Sequence, residues 1–131
     1  MATKRVVFVC VENSCRSQLA HALTNIHGRG RVEAHSAGSR PSGVVNPKAI
    51  AAMAELGYDL TAHVSQGLGA LPDAEFDAAI TMGCGDECPY VRARLREDWG
   101  IPDPKHVDAA AFRQVRDLIE TKVKDLLRRL Q

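Results

Sequence analysis

Cys10, Val11, Glu12, Asn13, Ser14, Cys15, Arg16 and Ser17 form a stretch in which a thiol precedes a guanidinium by six residues. An apolar run lies before it and an amphipathic run after it. A strand that turns abruptly into a helix aims its loop N–H groups and the positive helix end at one point, which is a site for a tetrahedral oxyanion. Arg16 adds a planar fork matched to two oxygens of such an anion. The same positive field favours a thiolate on Cys10, so the site that binds an electrophilic anion also activates a nucleophile against it. Asn13 tolerates the left-handed backbone that folds loop amides inward. Ser17 can donate its hydroxyl to the Cys10 sulfur.

Two further thiols, Cys84 and Cys88, stand four apart, a spacing that brings two sulfurs to one side of a helical turn. A disulfide between them requires Cα atoms within about 7 Å. Two inert core thiols, or a zinc site drawing on all four cysteines, are the other readings of these residues. Cys15 is expected to point from the loop into the core. Asp103, between Pro102 and Pro104, is a stiffly held carboxyl that suits protonation of a leaving oxygen, or simply a turn. His35, His63 and His106 read as isolated, and no metal site is expected.

These residues need elements to position them. Residues 5–9 form a short β-branched run of the kind buried in parallel sheets. A helix is predicted over Ser17–His27 with Leu19, Ala20, Leu23 and Ile26 inward. Further strands are expected over Val32–Ala37, Asp77–Met82 and Asp98–Ile101. Asn46 and Pro47 open a helix running to Leu56, with Ile50, Met53 and Ala54 inward. A short helix capped by Asp86 is expected from Cys88 to about Arg96. Residues 109–130 form the longest helix, with Phe112, Val115, Ile119, Val123, Leu126 and Leu130 on one face. Strands alternating with helices predict a single α/β domain with a four-stranded parallel sheet flanked by helices on both faces. Ligands in such sheets bind at the carboxyl ends of the strands, just beyond which Cys10, Cys84 and Asp103 fall.

The 131 residues suit one domain, and 45% hydrophobic with 25% charged residues is ordinary globular composition. A net charge of +1 and 5% aromatic residues give no case for nucleic-acid or anionic-membrane binding. No apolar run approaches the roughly 20 residues of a membrane helix. The first residues run straight into a strand, so no signal peptide is expected. Four cysteines without an export signal then imply a reducing, cytoplasmic setting. A monomer is expected.

Four separated segments carry a family resemblance: Cys10 to Ala20, His35 to Gly38, Thr81 to Cys84, and Trp99 to Pro104. Together they resemble the arsenate reductases built on the low-molecular-weight protein tyrosine phosphatase fold, in order, from residue 4 to about 125. The resemblance implies that residues 10–17 bind arsenate, Cys10 attacks arsenic, and Asp103 protonates the departing oxygen. It further implies a relay in which Cys84 attacks the Cys10 sulfur and Cys88 then attacks Cys84. No bound cofactor is implied. The external reductant is thioredoxin in this reading, with glutaredoxin or mycothiol as the other systems such proteins use. Val11 and Glu12 depart from the small residues common in this loop, and Glu12 is expected to face solvent or pair with a cation. His21 and Gln66 stand where some relatives carry acidic residues that hold a potassium ion. The rival functions are a protein tyrosine phosphatase using Cys10, Arg16 and Asp103, and a non-enzymatic oxyanion- or redox-sensing module.

Overall fold

The computed structural model describes residues 3–83 and 90–130, so Cys84, Asp86, Cys88 and the helix start expected there lie outside the described residues. Its elements run β1 (Lys4–Cys10), α1 (Arg16–His27), β2 (Val32–Gly38), α2 (Pro47–Ala54), β3 (Phe76–Thr81), β4 (Ala93–Asp98) and α3 (Ala109–Arg129). Single 3-10 turns at Leu60–Ala62 and Leu68–Ala70 interrupt the passage from α2 to β3. The four strands form one sheet in the order β2-β1-β3-β4. Each adjacent pair is parallel.

β1 is central, and Val6, Val7, Phe8 and Val9 are fully buried, as a strand covered on both faces requires. One face is thick. Phe8 and Ile80 of the sheet meet Leu19 and Leu23 of α1, Met53 of α2, and Phe112, Ile119 and Leu126 of α3 in one cluster. Each such side chain contributes about 1.5–3 kcal/mol by leaving water. The other face is thin: Val7, Val9 and Ala79 are covered by Leu68 and Leu71, around the second 3-10 turn, and by Val91. Helical structure thus flanks both faces, unequally.

Local chemistry sets the boundaries. The Asn46 side chain accepts from the Lys48 N–H at 2.8 Å, with Pro47 in the first turn of α2. Asp108 caps α3 by accepting from the Ala111 N–H. Arg116 is a buried charge on α3. It donates to the Ala52 carbonyl and to Glu55, tying α3 to α2.

Several expectations need correction. The fourth strand is Ala93–Asp98, not Asp98–Ile101, and it takes up residues 93–96, which were expected to end the helix from Cys88. The run Ala-Arg-Leu-Arg-Glu favours helix by propensity, but pairing with β3 from Phe76 to Thr81 overrides it. As an edge strand it keeps every second side chain exposed, and its charges discourage pairing with another chain. Ile26 and Ala54 face outward at helix ends, beyond the reach of the core. Among the described residues no helix is long and apolar enough to cross a membrane.

Candidate active site

β2 and β3 lie on opposite sides of β1, so chain direction through the sheet reverses at the β1 carboxyl end. That crevice is where an open α/β sheet places its ligand, and Cys10 is the last residue of β1. The loop from Cys10 doubles back against β2. A Cβ on Gly38 would lie 2.4 Å from the Val11 carbonyl oxygen, so only glycine admits this approach.

Asn13 adopts φ 50°, the left-handed conformation its residue type permits. This turns its N–H onto the Cys10 Sγ at 3.2 Å. The Ser17 Oγ stands 2.9 Å from the same sulfur. Asn13 Nδ2 donates to Ser17 Oγ at 2.8 Å, which leaves the serine proton directed at sulfur. Cys10 thus sits at 4% exposure with two donors aimed at it, the arrangement that serves a thiolate nucleophile. At the start of α1, Cys15 supplies no side-chain cap, so the first-turn N–H groups remain for an anion.

Cys15 behaves as the sequence suggests. It is buried in the core cluster, and burial, reinforced by Asp103, pushes its thiol up to about 12. A thiol held protonated is a poor nucleophile, although Cys15 contributes to the cleft wall.

Arg16 lines the cleft and also braces it. Its Nη1 donates to the Met82 carbonyl at 2.6 Å and the Ile101 carbonyl at 2.8 Å, so one guanidinium gathers the exits of β3 and β4. Its Nη2 lies 4.0 Å from Asp103 Oδ2. Asp103 accepts from the Lys105 N–H and is half-exposed. Glu12 pairs with Lys105 at 3.1 Å, resolving the negative charge beside an anion site by the cation pairing expected of it. Cys10, Val11, Glu12, Ser14, Cys15, Arg16 and Asp103 line one cleft of about 680 Å³, joined by Arg40, Asn46, Gly83, Gly100 and Lys105. Ser14 also turns its hydroxyl to the Val44 carbonyl, bracing the loop against the entry to α2.

Sequence reasoning missed the layer behind the loop. Gln18 is fully buried and donates to the Asn13 carbonyl, the Asn13 side chain and the Val64 carbonyl. The Gln66 N–H donates to Asn13 Oδ1, and Ser65 Oγ donates to the Glu12 carbonyl. His63, read as isolated, packs against His21 with ring centroids 4.4 Å apart. Burial, with His63 and His35 nearby, pushes His21 down to about 3, and burial lowers His63 as well. The Gln66 side chain donates to the Ser36 carbonyl, and His21 Nδ1 lies 2.9 Å from Ser36 Oγ.

A cysteine at a strand end, held by the Asn13 N–H and the Ser17 hydroxyl and sharing one cleft with an arginine and a carboxyl, defines a cysteine-centred site on a parallel α/β sheet. The chain matches the low molecular weight phosphotyrosine protein phosphatase family over residues 5–131 and belongs to it. It is 35% identical over 130 residues to the glutaredoxin arsenate reductase of Synechocystis sp., covering 97% of this chain and 98% of that protein. Its fold is similar to a solved arsenate reductase in the phosphate binding state, with a TM-score of 0.89 and 34% identity over 98% of this chain and all of that one. It is also similar to a thioredoxin-dependent arsenate reductase of Corynebacterium glutamicum, at TM-score 0.80 and 29% identity, covering 98% of this chain and 62% of that one.

Proposed function

We propose that this protein reduces arsenate to arsenite by thiol chemistry. The observation that carries the reading is the Cys10 sulfur under two donors in a cleft shared with Arg16 and Asp103. Arsenate occupies the cradle made by residues 10–17. The Cys10 thiolate attacks arsenic, an arsenic–oxygen bond breaks, and Asp103 protonates the departing oxygen as water forms. The thiolate of Cys84 then attacks the Cys10 sulfur. The sulfur–arsenic bond electrons stay on arsenic, which leaves as arsenite, while a Cys10–Cys84 disulfide forms. Attack of Cys88 on Cys84 frees the Cys10 thiolate and leaves a Cys84–Cys88 disulfide for an external dithiol to reduce. Two thiols are oxidised for each arsenic reduced by two electrons. Gly83 lines the same cleft as Cys10, so the chain enters the segment bearing Cys84 at the site itself.

The reductant is a thioredoxin-like dithiol protein in this reading, because an internal disulfide offers it a complete substrate and requires no small thiol. Relatives of both kinds are similar to this chain, one named for glutaredoxin and one for thioredoxin. Arsenate-dependent consumption of reductant tests the reading, with each system supplied in turn. Cys84→Ser is expected to abolish multiple turnover. Full activity in that variant would overturn the relay.

The phosphatase alternative shares Cys10, Arg16 and Asp103. Against it, no aromatic side chain among the described residues lines the cleft to hold a phosphotyrosine ring. Tyr90 is exposed and covered by Arg96, whose guanidinium carbon lies 4.3 Å from the ring centre. Aryl phosphate hydrolysis should be slow and indifferent to Cys84 and Cys88.

A further inference from the structure

Two ion pairs among the described residues join the walls of the cleft. The inner one brings Arg16 to 4.0 Å from Asp103. The outer one joins Glu12, on the loop that carries Cys10, to Lys105, two residues beyond Asp103. Lys105 Nζ lies 3.1 Å from Glu12 Oε2 and 3.5 Å from Oε1. This bridge spans the mouth and not the floor: its side chains are 46% and 44% exposed, whereas Cys10 is 4% exposed. Both ends spring from held backbone. The Glu12 carbonyl accepts from the Ser42 N–H, the Lys105 N–H donates to Asp103 Oδ1, and the Lys105 carbonyl accepts from Lys48 Nζ.

The anions that a Cys10 site could take differ at this place. An inorganic oxyanion ends at its fourth oxygen, which stays inside the cleft. A phosphate monoester carries a substituent there, and the oxygen that departs has to face Asp103 to be protonated. Its substituent then points outward along the Asp103 wall, into the space that the Glu12–Lys105 bridge crosses. An ester binds only with the pair parted, whereas an inorganic anion binds with it intact. We propose that the Glu12–Lys105 pair is a selectivity gate, favouring inorganic tetrahedral oxyanions over their bulky monoesters. The inference rests on the Cys10 oxyanion chemistry proposed above and narrows the substrate class of that site. Charge alone does not discriminate, because Glu12 repels and Lys105 attracts both kinds of anion. The bridge does. An exposed ion pair is weak, so the gate sets a preference of several-fold and not an exclusion.

The test measures dissociation constants for inorganic phosphate and for phenylphosphonate, whose ring replaces the fourth oxygen and cannot be hydrolysed. Calorimetry at low salt compares the parent, Glu12→Ala, Lys105→Ala and the exchanged pair, Glu12→Lys with Lys105→Glu. The readout is the phenylphosphonate constant divided by the phosphate constant, a ratio in which the shared effect of mouth charge cancels. Phenylphosphonate should bind the parent more weakly than phosphate does. The two alanine variants change the charge at the mouth in opposite directions, yet each should lower the ratio by about fivefold, and the exchanged pair should return it to within about twofold of the parent. High salt should lower the parental ratio and leave the alanine variants unmoved. Ratios that shift in opposite directions in the two alanine variants would overturn the gate in favour of a plain field effect. A parental ratio in both, or an exchanged pair no more selective than the single variants, would overturn it equally. The expected series in a protein that never forms arsenite from arsenate would retain the gate and reject the reductase reading instead.

Discussion

The two walls of the cleft are built differently. The wall from residues 10–17 is backed by buried polar groups: Asn13, Ser17 and Gln18 are fully buried, and their polar atoms are tied to the sulfur, to each other and to residues 63–66. The opposing wall, from Gly100 to Lys105, is largely exposed. Asp103 rests on the Lys105 N–H and a 4.0 Å approach to Arg16, and the Glu12–Lys105 pair across the mouth is open to solvent. In the proposed mechanism charge accumulates on the first wall, where donors set in advance would stabilise an anion without reorganisation. The same mechanism asks the second wall to deliver a proton and release a product, and a carboxyl in contact with water can be reprotonated between turnovers. Arg16 joins the two, lining the cleft while its Nη1 holds the Met82 and Ile101 carbonyls.

The contrast can be broken from either side. In the proposed mechanism Asp103→Asn removes the proton donor while keeping an acceptor for the Lys105 N–H, so kcat should fall by on the order of 10²–10³ while phosphate binding does not weaken. Equilibrium phosphate binding and steady-state rates separate these effects. Gly38→Ala strikes the first wall: its methyl would meet the Val11 carbonyl at 2.4 Å. Displacing the cradle by even a fraction of an ångström should weaken phosphate binding and lower kcat/KM together, by about 10². A Gly38→Ala protein with parental phosphate affinity would show that the loop is less constrained than its contacts imply.

Acid provides a milder probe of the same wall. His21 and His63 are held neutral in the fold, with His21 pushed down to about 3 from an ordinary 6.5. The unfolded chain therefore binds more protons below about pH 6.5. The stability these histidines support is complete above that value and is lost as pH falls toward 3. The denaturant midpoint should drop between pH 7 and pH 5, and His21→Gln should flatten that decline. The smallest effect belongs to the mouth: Glu12→Gln should tighten phosphate binding about twofold at low salt and not at high salt, as expected of an exposed charge.

Much of this architecture is legible in the chain. The β-branched run before Cys10, the Asn46–Pro47 helix start and the Phe112–Leu130 stripe encode their elements locally, through period and capping. That Cys10, Arg16 and Asp103 share one cleft is legible because strand ends converge on one sheet edge. β4 is not, because an edge strand is half-exposed and its charged residues carry a helical propensity that only pairing with β3 overrules. Nor is the supporting layer. Gln18 meets His63 and Val64 across 45 and 46 residues, and Asn13 meets Gln66 across 53. Buried polar contacts of that range leave no periodic trace. A glutamine in a helix and a histidine in a loop look like surface residues until the fold brings them together.

The most direct test of thiol-based reduction is a single exposure of the fully reduced protein to arsenate with no external reductant, followed by arsenite quantification and disulfide mapping. The account predicts stoichiometric arsenite and a Cys84–Cys88 disulfide, with Cys10 and Cys15 recovered as thiols. Arsenate left unreduced, with all four cysteines still titrating as thiols, would contradict it.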